Sequence, residues 1–387
     1  MATKGPQRRQ GISTVAVHGG RQANEPDTPV VEPIYQSVNF TQEIGRAVDV
    51  RYPRYGNNPN AEIVQRRLAL LEGAEAALVL GSGMAATACA LLALLRPGDH
   101  LLASRWLYGG SFQLFTREFA SMGIQVTLVD PSETRGWRKR MRKQTRAIFV
   151  ETPVNPTCRV LDLKPIRYLT QETGLALVVD SSFASPVNLR PIEHGADVVI
   201  HSGTKFLNGH HDVLGGIVLG TASYIEEVRQ KMMVWGQAPD PFACWLLERG
   251  LKTLEVRVQR QNENAQRLAE WCASRPEFSA VHYPGLPTHP DHEIARTMMD
   301  GFGGMLSVEL AGGASAAEQF LRRLHLFAHA PSFGGCDSVV TEPRFSSHEH
   351  LSAAERRAVG VPDGFVRLSV GVENADDLIA DVEQAVT

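Results

Sequence analysis

The feature that most constrains the fold is a series of short apolar runs between residues 75 and 220, separated by segments long enough to form helices. Most of these runs are apolar at every position, as expected of strands covered on both faces. The alternation predicts a mostly parallel sheet with helices on both sides. The predicted strands are 77–80, 100–103, 126–129, 147–151, 176–180, 198–201 and 216–219, and the helices between them include 85–95, 111–122 and 164–173.

After residue 220 the pattern changes to longer segments, which predict a smaller α+β domain. The predicted elements there are a long helix at 248–275, strands at 301–310 and 365–370, and helices at 316–325 and 376–385. The first 50 or so residues are rich in Gly, Pro and polar residues and show no clear core. We therefore expect an N-terminal arm at 1–55, a large domain at 56–245 and a small domain at 246–387.

Composition argues against several classes of protein. The net charge of −3 gives no electrostatic reason to expect nucleic acid or an acidic membrane as a partner. The longest apolar run, 84–95, has 12 residues, whereas a membrane span needs about 20, so this run predicts a buried helix. The polar, basic N-terminus argues against a secretory signal. The five cysteines form no Cys-x-x-Cys pair, which predicts neither disulfides nor a metal site and favours the cytoplasm.

Polar residues follow four of the predicted strands, at the edge where ligands of open parallel α/β sheets bind. They are Gly81-Ser82-Gly83, Glu151 with Asn155, Asp180, and His201 with Ser202, Thr204 and Lys205. The small residues 81–83 open a predicted helix, and such a turn suits a phosphate because backbone N–H groups and the helix dipole favour its charge. A plain strand-to-helix turn or a dinucleotide site with Ala86 in place of the last Gly is also compatible with this stretch. No Gly-Lys-Ser/Thr P-loop occurs.

Two interpretations fit Ser202-Gly203-Thr204-Lys205. One is the Ser-x-x-Lys motif of penicillin-recognising enzymes, but the Ser-Asp-Asn and Lys-Thr-Gly partners of that motif are missing. The other is a Schiff-base lysine flanked by hydroxyls that hold a phosphate, whose pKa must fall from about 10.4 through burial or neighbouring cations. Asp180 suits the second interpretation because a carboxylate keeps the ring nitrogen of pyridoxal 5′-phosphate (PLP) protonated. Alternatively, Asp180 caps a helix.

Seven stretches agree in order and spacing with one known family. They are 52–54, 81–86, 107–110, 151–156, 178–186, 201–210 and 367–371. From about Thr14 to Ala385 the chain resembles the Cys/Met-metabolism group of PLP enzymes, the trans-sulfuration family. Its members include cystathionine γ-synthase, cystathionine γ-lyase, cystathionine β-lyase, methionine γ-lyase and the homoserine-ester sulfhydrylases. The resemblance implies the type I, aspartate-aminotransferase-like α/β fold, with a mostly parallel seven-stranded sheet and a smaller C-terminal α+β domain.

The resemblance also implies a role for each site residue. Lys205 would bind PLP as an imine and then move protons on the substrate, Asp180 would pair with the ring nitrogen, and Tyr108 would stack on the ring and serve as acid or base. Asn155 would bind the ring hydroxyl. The remaining cofactor-binding residues would be Gly83, Met84, Ser182, Ser202 and Thr204, with Tyr52 and Arg54 reaching the phosphate from a neighbouring subunit. The substrate-binding residues would be Arg367, which clamps the carboxylate, with Ser332, Asp337, Asn155 and Tyr52.

These shared sites imply a homo-oligomer, a homotetramer built as a dimer of dimers, with a small amino acid as substrate. Gly334-Gly335, where sulfhydrylases usually show Gly-Asp, and Gly110, where methionine γ-lyases usually carry Cys, favour cystathionine γ-lyase or γ-synthase chemistry. The expected reaction is γ-elimination or γ-replacement on a sulfur-containing or O-acyl-homoserine-type amino acid. A homoserine-ester sulfhydrylase or methionine γ-lyase is the alternative, and an NAD-type enzyme or a non-catalytic PLP-fold protein is the alternative class.

The chain departs from the family pattern at several places. Asp337 replaces a Glu and is one methylene shorter, Pro53 replaces a Ser, and Gly203 replaces an Ala or Cys. An additional residue occurs in 55–60, and 341–345 differs from the small apolar stretch expected there. Within the latter, Arg344 is either a contact for an anionic leaving group or a surface charge. These departures bear on the choice of substrate.

Overall fold

A computed structural model describes residues 10–21, 26–45, 50–347, 349 and 352–387. Its larger sheet contains seven strands in the spatial order β1-β7-β6-β5-β4-β2-β3. Neighbours among β2 to β6 run parallel, and β7 is antiparallel to both β1 and β6. The mostly parallel seven-stranded sheet is therefore confirmed. The strands are β1 Ala76–Leu80, β2 His100–Ser104, β3 Gln125–Val129, β4 Thr145–Glu151, β5 Ala176–Asp180, β6 Val198–Ser202 and β7 Gly216–Gly220.

A second, five-stranded sheet follows in the order β10-β11-β12-β9-β8. Only the short β10–β11 pair in it is parallel. Its own apolar core includes Phe320, Leu306 and Leu368, which are almost fully buried. The predicted smaller α+β unit is thus present, while the boundaries after residues 55 and 245 stay predictions. The strands are β8 Phe278–His282, β9 Met305–Leu310, β10 Ala328–His329, β11 Val339–Thr341 and β12 Phe365–Ser369.

Helices cover both faces of the large sheet, because its strands present apolar side chains on each side. One face packs on a cluster that includes Val179 and Val199, and the other on a cluster that includes Val178 and Ile200. In chain order the helices are α1 Ile12–His18, α2 Pro59–Glu72, α3 Gly83–Leu94, α4 Gly109–Gln113, α5 Phe119–Ser121, α6 Leu163–Thr173, α7 Ser185–Asn188, α8 Ala222–Trp235, α9 Pro241–Leu251, α10 Leu254–Ala273, α11 His292–Met298, α12 Gly313–Arg323, α13 Ala353–Ala358 and α14 Ala375–Val386.

Two predicted helices differ in detail. The helix predicted at 111–122 is one helical stretch in which a π-turn, Leu114–Glu118, joins α4 to α5. The single helix predicted at 248–275 is wrong, since α9 ends at Leu251 and α10 starts at Leu254. The buried Arg257 ends α9 by donating from Nη2 to the carbonyl of Gly250 at 2.8 Å. No helix in the described ranges has the length and apolar character needed to cross a bilayer.

Part of the N-terminal arm lies extended on α2 and α9. Asn60 accepts from the backbone N–H of Tyr35 at 2.8 Å and donates to the carbonyl of Pro33 at 2.7 Å. Trp245 donates from Nε1 to the carbonyl of Glu32 at 2.7 Å. The backbone of residues 32–35 is therefore held in place, yet apolar side chains in and around this segment point outward. Val30, Val31, Ile34, Tyr35 and Val38 are all exposed.

Candidate active site

A cavity of about 550 Å³ lies where β4, β5 and β6 end, between the large sheet and the loop that precedes β11. Glu151, Asp180 and Ser202 are the last residues of these three strands. Parallel strands end at the same edge of a sheet, which is why residues far apart in sequence meet here. The predicted residues that line the cavity are Gly83, Met84, Tyr108, Asn155, Asp180, Ser182, Ser202, Thr204, Lys205, Ser332 and Arg367.

Lys205 is the basic group at the centre of this site. Its Nζ donates a hydrogen bond to Ser332 Oγ at 2.7 Å. Burial, and secondly the positive charge of Arg367, lower the pKa of Lys205 to about 8. With this pKa, on the order of a tenth of the side chain is the neutral amine at pH 7, far more than for an ordinary lysine, and the neutral amine is the form that attacks a carbonyl.

Two carboxylates lie side by side at the floor of the cavity. Glu151 and Asp180 are paired residues on neighbouring parallel strands. Burial raises the pKa of both carboxyl groups, and the charge of Asp180 raises that of Glu151 further. Within the described ranges neither group accepts a hydrogen bond from a Lys or Arg side chain. Because buried carboxylates are costly without a cationic partner, this floor fits the protonated ring nitrogen of PLP.

Arg367 provides the second cation of the cavity and is 5% exposed. Its Nη1 donates to Asn155 Oδ1 at 2.8 Å and its Nη2 to the carbonyl of Ser332 at 2.7 Å. Its Nε is buried and has no hydrogen-bond partner in the described structure. Burial lowers the pKa of Arg367 to about 10, so the group stays charged at neutral pH. A guanidinium held in this way can bind a carboxylate.

The residues at the start of α3 form a cradle for an anion. Ser82 caps this twelve-residue helix by accepting from the N–H of Ala85 at 3.1 Å. Gly83 lies so close to β6 that a Cβ on it would be 3.0 Å from the Cβ of Ser202. Ser202 and Thr204 also line the cavity. A helix N-terminus with small residues and hydroxyl groups fits the phosphate of PLP.

Tyr108 forms one wall of the cavity, and its side chain is 47% exposed. Its backbone N–H donates to both carboxylate oxygens of Glu151 at 2.8 Å. Any side chain at Gly110 would crowd the tyrosine, because a Cβ there would lie 2.7 Å from Tyr108 Cε1 and 2.8 Å from Met84 Sδ. Gly110 therefore allows the ring of Tyr108 to lie close to Met84.

Three of the predicted residues do not line this cavity. Tyr52 and Arg54 lie at a 3-10 turn at the end of the arm, where the guanidinium of Arg54 is 5.7 Å from the ring centre of Tyr52. Asp337 is exposed and is not one of the residues that line the cavity. Arg344 also lies outside the lining, and it pairs with Glu342 and Glu318 at 2.8 Å. The structure therefore shows Arg344 as a largely buried ion-pair residue, with a side chain that is 13% exposed, and does not show it as a leaving-group contact in this cavity.

Several lining residues had no role in the sequence interpretation. The sequence predicts Glu151 at a strand end without giving it a function, and it gives Phe333 no role. The sequence signal for both residues is weak. The place of Glu151 beside Asp180 depends on the pairing of β4 with β5, and the place of Phe333 depends on a turn between distant elements. Further lining residues of this kind are Thr87, Ser111, Phe183, Leu214, Ser346 and Ser347.

Comparison with known proteins gives consistent matches over nearly the whole chain. A family model described as "Cys/Met metabolism PLP-dependent enzyme" matches residues 13–387. The chain is 37% identical to an L-methionine gamma-lyase of Pseudomonas putida and 38% identical to a cystathionine beta-lyase of Coxiella burnetii. It is 40% identical to a cystathionine gamma-synthase of Mycobacterium bovis, and each of these three alignments covers 98% of both chains.

A solved structure, that of metB from Corynebacterium glutamicum, superposes with a TM-score of 0.93 at 39% identity. The superposition covers 97% of this chain and 98% of the other. This likeness confirms the predicted fold, a large mostly parallel α/β sheet followed by a smaller unit with its own sheet.

Proposed function

Since this chain belongs to the family of PLP-dependent enzymes of Cys/Met metabolism, we propose that it catalyses γ-elimination or γ-replacement as a cystathionine γ-lyase or γ-synthase. Its cofactor is pyridoxal 5′-phosphate. The substrate is a sulfur-containing or O-acyl-homoserine-type amino acid. The observation that carries the proposal is the hydrogen bonding of Lys205 and Arg367 to the same residue, Ser332, in one cavity.

PLP, when bound, stabilises negative charge that develops on the α-carbon of an amino acid. Lys205 is the residue that would carry it, and Asp180 would keep its ring nitrogen protonated. Asn155 would bind the ring hydroxyl, and Tyr108 would cover one face of the ring. The phosphate would lie among Gly83, Met84, Ser182, Ser202 and Thr204, which line the cavity near the start of α3.

The chain's own groups supply binding and proton transfer. Arg367 binds the α-carboxylate of the amino acid through a charge-assisted hydrogen bond. Lys205 accepts and returns a proton at Nζ, and its pKa of about 8 suits this role because an acid–base catalyst works best near the operating pH. Ser332 holds the two groups together, since its side chain and its carbonyl each accept one of their hydrogen bonds.

Two glycine positions support γ-carbon chemistry of the cystathionine type over the other activities of the family. Gly110 leaves no room for a side chain between Tyr108 and Met84. Gly335 is equally restricted, because a Cβ on it would be 2.0 Å from His211 Nε2. The three relatives named above, an L-methionine gamma-lyase, a cystathionine beta-lyase and a cystathionine gamma-synthase, lie within 37–40% identity, so the overall identity does not rank these activities.

A steady-state assay tests this function directly. The purified protein with PLP is given cystathionine, methionine, or an O-acyl-homoserine with cysteine, and the products are separated. We expect 2-oxobutanoate and cysteine from cystathionine, or cystathionine from the O-acyl-homoserine and cysteine. Pyruvate as the main keto acid would show β-elimination instead. Faster turnover of methionine than of cystathionine would favour a methionine γ-lyase.

We further propose that two subunits share each active site and that the protein is a homotetramer, a dimer of dimers. Tyr52 and Arg54 lie outside the cavity of their own chain, and residues 30–38 of the same arm expose several apolar side chains. Both observations fit an arm that contacts a neighbouring subunit and delivers these two residues to its phosphate site.

The five cysteines are unpaired, which supports a reducing compartment such as the cytoplasm.

Complementation between two inactive variants tests the shared site. Lys205→Ala and the double variant Tyr52→Ala/Arg54→Ala are expected to be nearly inactive separately. When they are co-expressed in equal amounts, half of the dimers are mixed and have one intact site in two. We therefore expect about a quarter of the wild-type activity, given random pairing in a symmetric oligomer. Activity that stays at the level of the single variants would show that Tyr52 and Arg54 act in their own subunit.

A further inference from the structure

The ring of Phe333 lies beside both cations of the cavity. Its centroid is 4.8 Å from Lys205 Nζ and 5.4 Å from Arg367 Cζ. The side chain is 7% exposed and lines the cavity. Contacts of a cation with an aromatic face are effective within about 6 Å of the ring centre, and both distances are shorter.

The backbone around Phe333 fixes where its ring lies. Ser332 has a φ of +82°, which is unusual for a residue other than glycine. Gly334 has a φ of +79°, and a Cβ on it would be 2.8 Å from the backbone nitrogen of Phe206. Its N–H donates to Ser369 Oγ on β12 at 2.9 Å. This turn therefore aims Ser332 and Phe333 at Lys205 together.

Neighbouring aromatic residues hold the ring from its other sides. Phe183 meets Phe333 edge to face with ring centres 5.0 Å apart, and Phe206 is tilted against it at 5.9 Å. Such pairs contribute beyond the area that they bury. Phe333 is thus a rigid surface, fixed by covalent neighbours and by packing, with the two cations at its side.

We propose that Phe333 is a positioning residue whose ring face holds the ammonium group of Lys205 and the guanidinium of Arg367 in place and stabilises both positive charges. Burial and the Arg367 charge disfavour the ammonium form of Lys205, and the aromatic ring opposes both effects. The other charged or titratable groups that line this cavity are Glu151 from β4, Asp180 from β5 and Tyr108 at the start of α4. The inference rests on the proposed function only for the roles of the two cations.

The test keeps the shape of the ring and changes only its electrons. Phe333 is replaced site-specifically by phenylalanines with one, two or three fluorine atoms, which weaken the negative face of the ring stepwise. The full-length chain without PLP is then labelled with an amine-specific reagent across a pH series, and the peptide that contains Lys205 is quantified by mass spectrometry. We expect the pKa of Lys205 to fall stepwise with fluorination, by roughly 0.5–1 pH unit for the trifluorinated ring.

Phe333→Leu gives a second test with natural residues, and it also changes the contact with Arg367. We expect the same fall in the pKa of Lys205 and a higher KM for the amino-acid substrate with a smaller change in kcat. Phe320→Leu is the matched control, because this phenylalanine lies in the core of the second sheet. It removes the same atoms from a buried position without touching either cation.

The outcomes separate this inference from the proposed reaction. A pKa of Lys205 that is unchanged across the fluorinated series would overturn the role of the ring, whatever reaction the enzyme catalyses. A stepwise fall would support that role even if the assay showed β-elimination. An equal fall in the Phe320→Leu variant would assign the change to lost packing in general and would also overturn the inference.

Discussion

Replacing Lys205 with alanine is expected to abolish covalent attachment of PLP and to lower kcat/KM by about 10²–10⁴-fold or more. Lys205 is the one lysine that lines the cavity of the described structure. Without its amine no group in that lining can take over both cofactor attachment and proton transfer at Nζ. The visible absorption of the lysine-bound cofactor and the steady-state assay measure the two losses separately.

Lys164→Ala provides the control for this variant, since Lys164 is exposed on α6. We expect it to retain the absorption and the activity of the wild-type protein. If the absorption band survived in Lys205→Ala, Lys205 would not be the attachment residue. Circular dichroism of both variants shows whether the fold is kept.

Replacing Arg367 with alanine is expected to lower kcat/KM roughly 30- to 4,000-fold, mainly through a higher KM. This corresponds to a loss of about 2–5 kcal/mol of binding free energy. The change removes the cation that binds the substrate carboxylate and leaves two acceptors, the buried Asn155 Oδ1 and the partly buried carbonyl of Ser332, without their donor. Arg367→Lys should recover only part of the loss, because an ammonium group cannot form the same planar pair of hydrogen bonds.

Arg296→Ala is the matched control for Arg367→Ala. Arg296 is exposed on α11 and pairs with Glu293, so its loss should leave KM unchanged. An amine substrate that lacks the carboxylate offers a second check. If Arg367 binds that carboxylate, the wild-type protein and Arg367→Ala should handle this substrate equally poorly. If the wild-type protein were still roughly 30- to 4,000-fold more active than Arg367→Ala on this amine substrate, Arg367 would have another role.

The strands of the large sheet were predicted from sequence to within two residues, and 176–180 matched β5 at both ends. The reason is physical, since a strand covered on both faces must be apolar throughout and ends where polar residues begin. The helix at 248–275 could not be predicted correctly by the same method. Its interruption depends on Gly250 packing against the backbone of Asn208 and on a cap from Arg257, and both contacts are made in three dimensions.

The candidate site shows the same division. Residues at strand ends were expected to converge, and Asp180, Asn155, Ser202 and Lys205 do line one cavity. Phe333 was missed because its place beside Lys205 depends on a left-handed backbone conformation at Ser332, for which serine is not a signal. The roles of Tyr52, Arg54 and Asp337 rest on the resemblance alone, since none of the three lines the cavity of its own chain.

The antiparallel pairing of β1 with β7 has a consequence for how the chain folds as it is made. Ala76 is paired with Gly220, which is synthesised 144 positions later. During synthesis β1 therefore has no partner strand until β7 has been made. At about 5–20 residues per second, this delay is on the order of 10–30 seconds. The anion cradle directly after β1 therefore lacks this support until β7 has been synthesised, and Arg367 emerges later still. We therefore expect PLP to bind only after most of the chain has been synthesised.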